Sequence, residues 1–198
     1  MFSIFLVTGL LFASGDVVGT NAVNHIANPG FEEGMAPWVY EGPEYTIEAG
    51  AGRNGGAALR FENTNTNFYH FPRQRVNLRP GRAYRYEYWL KTELSYRDGR
   101  GANCCIEWND EKGKFLGGAY NQGGKSGTHD WTKIVSTTPR IPLNATNIRI
   151  SPLVSGGVVG RCWFDDFVLT EVPPRPVGDL SVSAYRGLVS EGQVRIAV

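Results

Sequence analysis

After an apolar opening segment, the chain shows almost no helical periodicity. Short runs of alternating apolar and polar residues follow one another instead. In Ala83 to Lys91, Tyr84, Tyr86, Tyr88 and Leu90 fall on one side, and Arg85, Glu87, Trp89 and Lys91 on the other. Successive side chains of a strand point to opposite faces, so this segment has a core side and an outer side. Ala102 to Trp108 alternates likewise, with Cys104, Ile106 and Trp108 inward and Asn103, Cys105 and Glu107 outward. Ala57 to Phe61, Phe68 to Leu78, Trp131 to Thr137, Asn147 to Leu153 and Arg161 to Leu169 complete the predicted strands. Turn signals separate them: the glycine-rich stretch Gly50 to Gly56, Arg79-Pro80-Gly81-Arg82, and Asn109 to Gly113. Pro80-Gly81 is expected to make a tight, hairpin-like turn. Many short strands punctuated in this way predict an all-β sandwich or barrel.

The two ends break the pattern. Met1 to Ala13 is an apolar run that suits the hydrophobic region of a signal peptide and is short for a membrane span. It lacks a basic residue in front, and a buried N-terminal strand is the other reading. Residues 1–22 are therefore expected to be a leader, which implies a secreted, cell-surface or periplasmic protein. Near the other end, residues 172–178 (VPPRPVG) form a proline-rich linker. Residues 179–198 are strand-like again but too few for a domain, and are expected to open a further β domain.

Composition agrees with a secreted β module. Of 198 residues, 41% are hydrophobic, enough for a core without metal or disulfide staples. Glycine (25) and proline (11) supply turns, while 12% aromatic residues favour strands. A formal net charge of +1 gives no electrostatic footprint for nucleic acid or an anionic membrane. Cys104, Cys105 and Cys162 show no zinc-ligand spacing and read as buried small hydrophobes. One pair could bridge in an exported protein, and adjacent Cys104 and Cys105 cannot both face the same partner.

Three segments then carry a resemblance. Asn28-Pro29-Gly30-Phe31-Glu32-Glu33-Gly34 is followed by Trp38; Leu78 to Tyr84 leads into the strand with Trp89; and Trp163-Phe164-Asp165-Asp166-Phe167-Val168-Leu169 closes the series. Their order over Asn24 to Glu171 resembles the jelly-roll carbohydrate-binding modules of families four, nine and twenty-two. That resemblance implies a jelly-roll β-sandwich of two antiparallel sheets over residues 24–171. It further implies a non-catalytic module that attaches a secreted polysaccharide-active protein to a polysaccharide or oligosaccharide, with an appended domain beyond the C-terminus. It also implies a structural calcium ion held by Glu32 and one of Asp165 and Asp166, with carbonyls from Gly50 to Gly55. The chemistry is consistent, because a buried unpaired carboxylate is costly and calcium accepts carboxylate and carbonyl oxygens. A capping hydrogen-bond role without metal is the other reading.

Sugars are gripped by aromatic rings against the pyranose face and by fixed polar groups at the hydroxyls. If the alternating strands are neighbours, one outer face collects Trp89, Glu87, Arg85, Asn103, Glu107 and Arg149. Tyr69 or His70, of which one can share the face, would extend it. Trp38, Trp131 and Trp163 are assigned to structure. A glycan binder would leave Trp89 exposed beside polar groups, whereas a structural or adhesion spacer would cover it or fill the face with salt bridges. Glu87 and Glu107 also admit a glycoside hydrolase or lyase reading. Arg85 and Arg149 oppose it, because a general acid needs a raised pKa. No nucleophile motif, phosphate loop or dinucleotide fingerprint appears.

Overall fold

The computed structural model describes residues 22–95, 100–121 and 124–174. The expected leader, through residue 21, and residues 179–198 lie outside the described residues, as does most of the linker. The strands are β1 (Tyr45–Glu48), β2 (Ala58–Asn63), β3 (Gln74–Arg75), β4 (Tyr84–Leu94), β5 (Ala102–Asn109), β6 (Phe115–Tyr120), β7 (Gly127–Thr137), β8 (Asn147–Val154) and β9 (Gly160–Glu171). They form a five-stranded sheet, β1-β2-β9-β4-β7, and a four-stranded sheet, β3-β8-β5-β6. Every paired strand is antiparallel.

Alternation assigns the core correctly. Tyr84, Tyr86, Tyr88 and Leu90 of β4 are buried, and Cys104, Ile106 and Trp108 of β5 meet them from the other sheet. Tyr88 stacks on Phe167 with ring centroids 5.3 Å apart, and Phe31 and Trp38 pack around Phe167 at 6.0 and 5.2 Å. Each such ring contributes about 1.5–3 kcal/mol on burial. All three cysteines are buried free thiols, as expected of small core residues.

Three local expectations change. The Phe68 to Leu78 strand shrinks to β3. Pro72 has no N–H for a ladder, and upstream the Asn63 and Asn65 side chains accept from the backbone N–H of Asn65 and Asn67, both at 2.9 Å. The Arg79 to Arg82 turn joins β3 to β4 and so crosses from one sheet to the other, rather than closing a hairpin. β1 and β6 are additional strands. β6 contains Gly117 and Gly118. Here they permit close approach: a Cβ on Gly118 would stand 2.9 Å from the Ile106 carbonyl oxygen.

The chain enters and leaves beside β9. His25 N–H donates to the Leu169 carbonyl (2.9 Å), and the Asn24 side chain bonds both Phe167 and Leu169. Val172 N–H then donates to Ala83 (2.9 Å).

Candidate functional site

The outward residues predicted to form one platform lie on opposite sides of the sandwich. β4 belongs to the five-stranded sheet, and β5 and β8 to the four-stranded one. Arg85, Glu87 and Trp89 therefore occupy one outer face, while Asn103, Glu107 and Arg149 occupy the other. Periodicity fixes which side of a strand is apolar but not which strand lies beside it.

The five-stranded face is covered and charge-paired. Glu87 bridges Arg85 (3.0 Å) and Lys133 (2.6 Å). Arg161 meets Glu93 at 2.5 Å, and Arg60 meets Glu62 and Glu48. The Trp163 indole N–H donates to Glu48 (2.7 Å). Trp89 lies beneath the Arg53 guanidinium, 4.5 Å from ring centre to Cζ. These are the features expected of a spacer surface.

Arg53 belongs to the glycine-rich loop, which does converge with the three predicted carboxylates. A β-bulge in β9 sets Asp165 opposite Trp89 and Val168 opposite Glu87, with Asp166 at φ 50°. The bulge overrides simple alternation at the Asp pair. Asp165, 4% exposed, accepts from the N–H of Arg53 (2.8 Å) and of Asp166 (2.7 Å). Asp166 is taken by the Arg53 guanidinium at 2.8 Å. Glu32 accepts from Ala57 N–H (3.1 Å) and fills the space where a side chain on Gly56 would stand. Gly30 lies among all three, its Cβ position 3.5 Å from Asp165 Oδ1 and 3.8 Å from both Asp166 Oδ1 and Glu32 Cγ. Burial, with Asp166 and Glu32 nearby, holds the Asp165 carboxyl above its ordinary range, although its two hydrogen bonds oppose this. Among the described residues, no group of three or more Asp, Glu, His or Cys side chains has metal-holding geometry. Any cation here would need backbone carbonyls to complete its sphere, as calcium accepts.

The four-stranded face is built differently, with its outward Cys105 and Ser151 buried and its aromatic rings exposed beside them. One row across it runs Arg75 (β3), Arg149 (β8), Glu107 (β5) and Gly118 (β6), each opposite the next. In the adjacent row Ser151, Cys105 and Tyr120 lie opposite one another. Tyr120 is 49% exposed, and its hydroxyl donates to Glu107 (2.8 Å). Burial, this bond and the Glu107 charge push its phenol well up. Tyr69, 54% exposed, packs beside Gly156 in the β8–β9 turn, and burial, then Cys105 and Glu107, push its phenol up. Cys105 faces outward yet is buried; burial pushes its thiol up to about 12, so it is not a nucleophile. Asn103 Oδ1 is buried and, among the described residues, has no hydrogen-bond partner.

Tyr69 also borders a cavity of about 550 Å³, lined by Tyr40, Glu44, His70, Phe71 and Arg73 among others. Tyr40 donates to Glu44 at 2.6 Å. Of the predicted set, the structure thus unites Asn103, Glu107, Arg149 and Tyr69, and adds Tyr120, Arg75 and the cavity. Tyr120 escapes sequence reading because its strand carries a glycine pair in the middle; its alternation with Gly118 is the signal that could have revealed it.

No family model matches the sequence, and no curated protein matches it. Solved structures do. A family 16 carbohydrate-binding module is 16% identical, covering 74% of this chain and 99% of that one, with a TM-score of 0.56. The CBM22-1 xylan-binding domain from Paenibacillus barcinonensis Xyn10C is 14% identical, covering 73% of this chain and 92% of that one, with a TM-score of 0.57. The CBM22-1 and GH10 modules of Clostridium thermocellum endo-1,4-beta-D-xylanase 10B, complexed with xylohexaose, are 19% identical, covering 73% of this chain and 28% of that one, with a TM-score of 0.57. At these identities the likeness is one of fold: the chain is a jelly-roll β-sandwich of two antiparallel sheets, the architecture of carbohydrate-binding modules.

Proposed function

We propose that this chain is a non-catalytic carbohydrate-binding module whose ligand lies across the outer face of the four-stranded sheet. The observation that carries this reading is the pair of half-exposed tyrosines, Tyr69 and Tyr120, beside fixed polar groups and a cavity. A pyranose presents an apolar C–H face to such rings and hydroxyls to their polar neighbours. Tyr120 is held in place by Glu107, so little rotamer freedom is lost on binding. Arg149, partly exposed in the same row, supplies donors. An open face of this kind supports affinity on the order of micromolar to millimolar.

The hydrolase reading fails on distance. Glycosidase carboxyls flank one bond, roughly 5–9.5 Å apart. Glu87 and Glu107 project outward from two different sheets, whose backbones alone are about 10 Å apart. A secreted location, attachment to a polysaccharide-active protein, and an appended domain after a linker at 172–178 belong to the same proposal. Among the described residues no helix is long and apolar enough to cross a membrane.

The proposal includes a structural calcium ion. Glu32, Asp165 and carbonyls of the Gly50 to Gly55 loop would hold it, neutralising the buried Asp165 carboxylate, which Asp166 and Glu32 now repel. Asp166 would stand aside, because Arg53 already engages it.

A glycan array with the full chain tests the function. Binding should weaken about tenfold, or roughly 1.4 kcal/mol, in Tyr69→Ala and again in Tyr120→Ala, with little change in melting temperature. A chain that binds no glycan on the array is a spacer.

A further inference from the structure

The two outer faces treat their arginines differently. On the five-stranded side Arg53, Arg60, Arg85 and Arg161 each meet a carboxylate. On the four-stranded side Arg75 and Arg149 stand directly opposite one another in the β3–β8 ladder. Among the described residues neither makes an ion pair. Arg75 has a long contact of 3.4 Å to the Thr146 carbonyl. Arg149 has Glu107 as its register partner on β5, yet that carboxylate is engaged by Tyr120 instead. Arg73, two residues before Arg75, is exposed and, among the described residues, makes no ion pair, and it borders the cavity beside Tyr69. Like charges set opposite in a ladder repel, so this arrangement costs stability unless an anion lies between them. Glu41 and Glu44 line the cavity itself, and the excess positive charge therefore belongs to the sheet platform.

We propose that the platform takes an acidic glycan, a polysaccharide whose sugars carry carboxylates. This rests on the glycan-binding reading above. Guanidinium groups pair with carboxylates through two parallel N–H donors, which gives orientation as well as attraction. Arg75 and Arg149 hold uronate carboxylates, Arg73 takes one nearer the cavity, and Tyr69 and Tyr120 cover the pyranose faces. The row of charge spans β3 and β8 while Tyr120 stands on β6, two strands from β8, so the ligand lies across the strands.

The test is calorimetric titration of the full chain with polygalacturonate, alginate and glucuronoxylan. Each is paired with the same polymer after reduction of its carboxyl groups to alcohols; neutral xylan and dextran sulfate complete the panel. At least one uronate polymer should bind tenfold or more tightly than its reduced form, and weaken with added salt. Arg75→Gln/Arg149→Gln should abolish that preference without lowering the melting temperature, while Arg85→Gln, on the opposite face, should leave it intact. Equal binding of native and reduced polymers, or tight binding of neutral xylan unaffected by the double substitution, overturns the acidic assignment and leaves the glycan reading standing. Preference for dextran sulfate over every uronate polymer overturns the carboxylate. Failure to bind any polymer overturns the glycan reading, and this inference with it.

Discussion

Trp89 and Tyr120 both lie on the outer face of a sheet, and their neighbours give them different work. Trp89 is capped by Arg53, which also holds Asp166 and, through its N–H, Asp165. Trp89→Ala should therefore cost about 1–2 kcal/mol of stability and leave glycan binding unchanged. Urea denaturation beside the array separates this from a ligand-contact role. Tyr86 carries a different prediction. Burial pushes its phenol up to about 12, against about 10 in an unfolded chain. The folded state keeps its proton longer, so the associated stability is whole below pH 10 and is lost as pH rises through 12, on the order of 2 kcal/mol. Unfolding midpoints between pH 9 and 12 should fall, and fall less steeply in Tyr86→Phe.

At the scale of elements, β4 and β5 show what a single sequence can reveal. Their alternation places the inward residues correctly, because burial on one side is a local signature; Cys105, outward yet buried, departs from it. The partner of each strand is not local. The outward residues of β4 and β5 looked like one site although they decorate two sheets. The Asp165-Asp166 bulge was hidden for a related reason: one extra residue breaks the period without changing composition. The carboxylates themselves were legible, since an acidic pair inside an apolar strand demands partners. β6 was concealed by glycines that a turn and a close-packed strand both use. Their role is checkable: Gly118→Val should drive β6 from β5, destabilise by about 1–3 kcal/mol, and weaken glycan binding by displacing Tyr120. Gly113→Val, in the turn with open space around it but at φ 80°, should destabilise the chain without moving Tyr120 and so spare affinity.

Across the whole molecule, one sheet carries the proposed ligand and the other carries the loop that locks the sandwich. The carboxylate cluster joins the Asn28 to Glu33 segment, the glycine-rich loop and the β9 bulge, three parts distant in sequence. A calcium ion that binds the folded state alone stabilises it by mass action. Chelator should lower the melting temperature and added calcium should restore it. In Glu32→Gln that response should shrink, and in Asp166→Asn it should persist. An unchanged melting temperature, with no calcium by elemental analysis, would remove the ion from the proposal. The hydrogen bonds at His25 and Val172 have a consequence of another kind. The chain comes in beside Leu169 and goes out three residues later, so entry and exit are separated by about 10 Å. A unit built this way can sit within the loop of a larger host as readily as at its end, without parting the host's own strands. Evolution, or an engineer, could splice it into an existing fold through those two neighbouring ends.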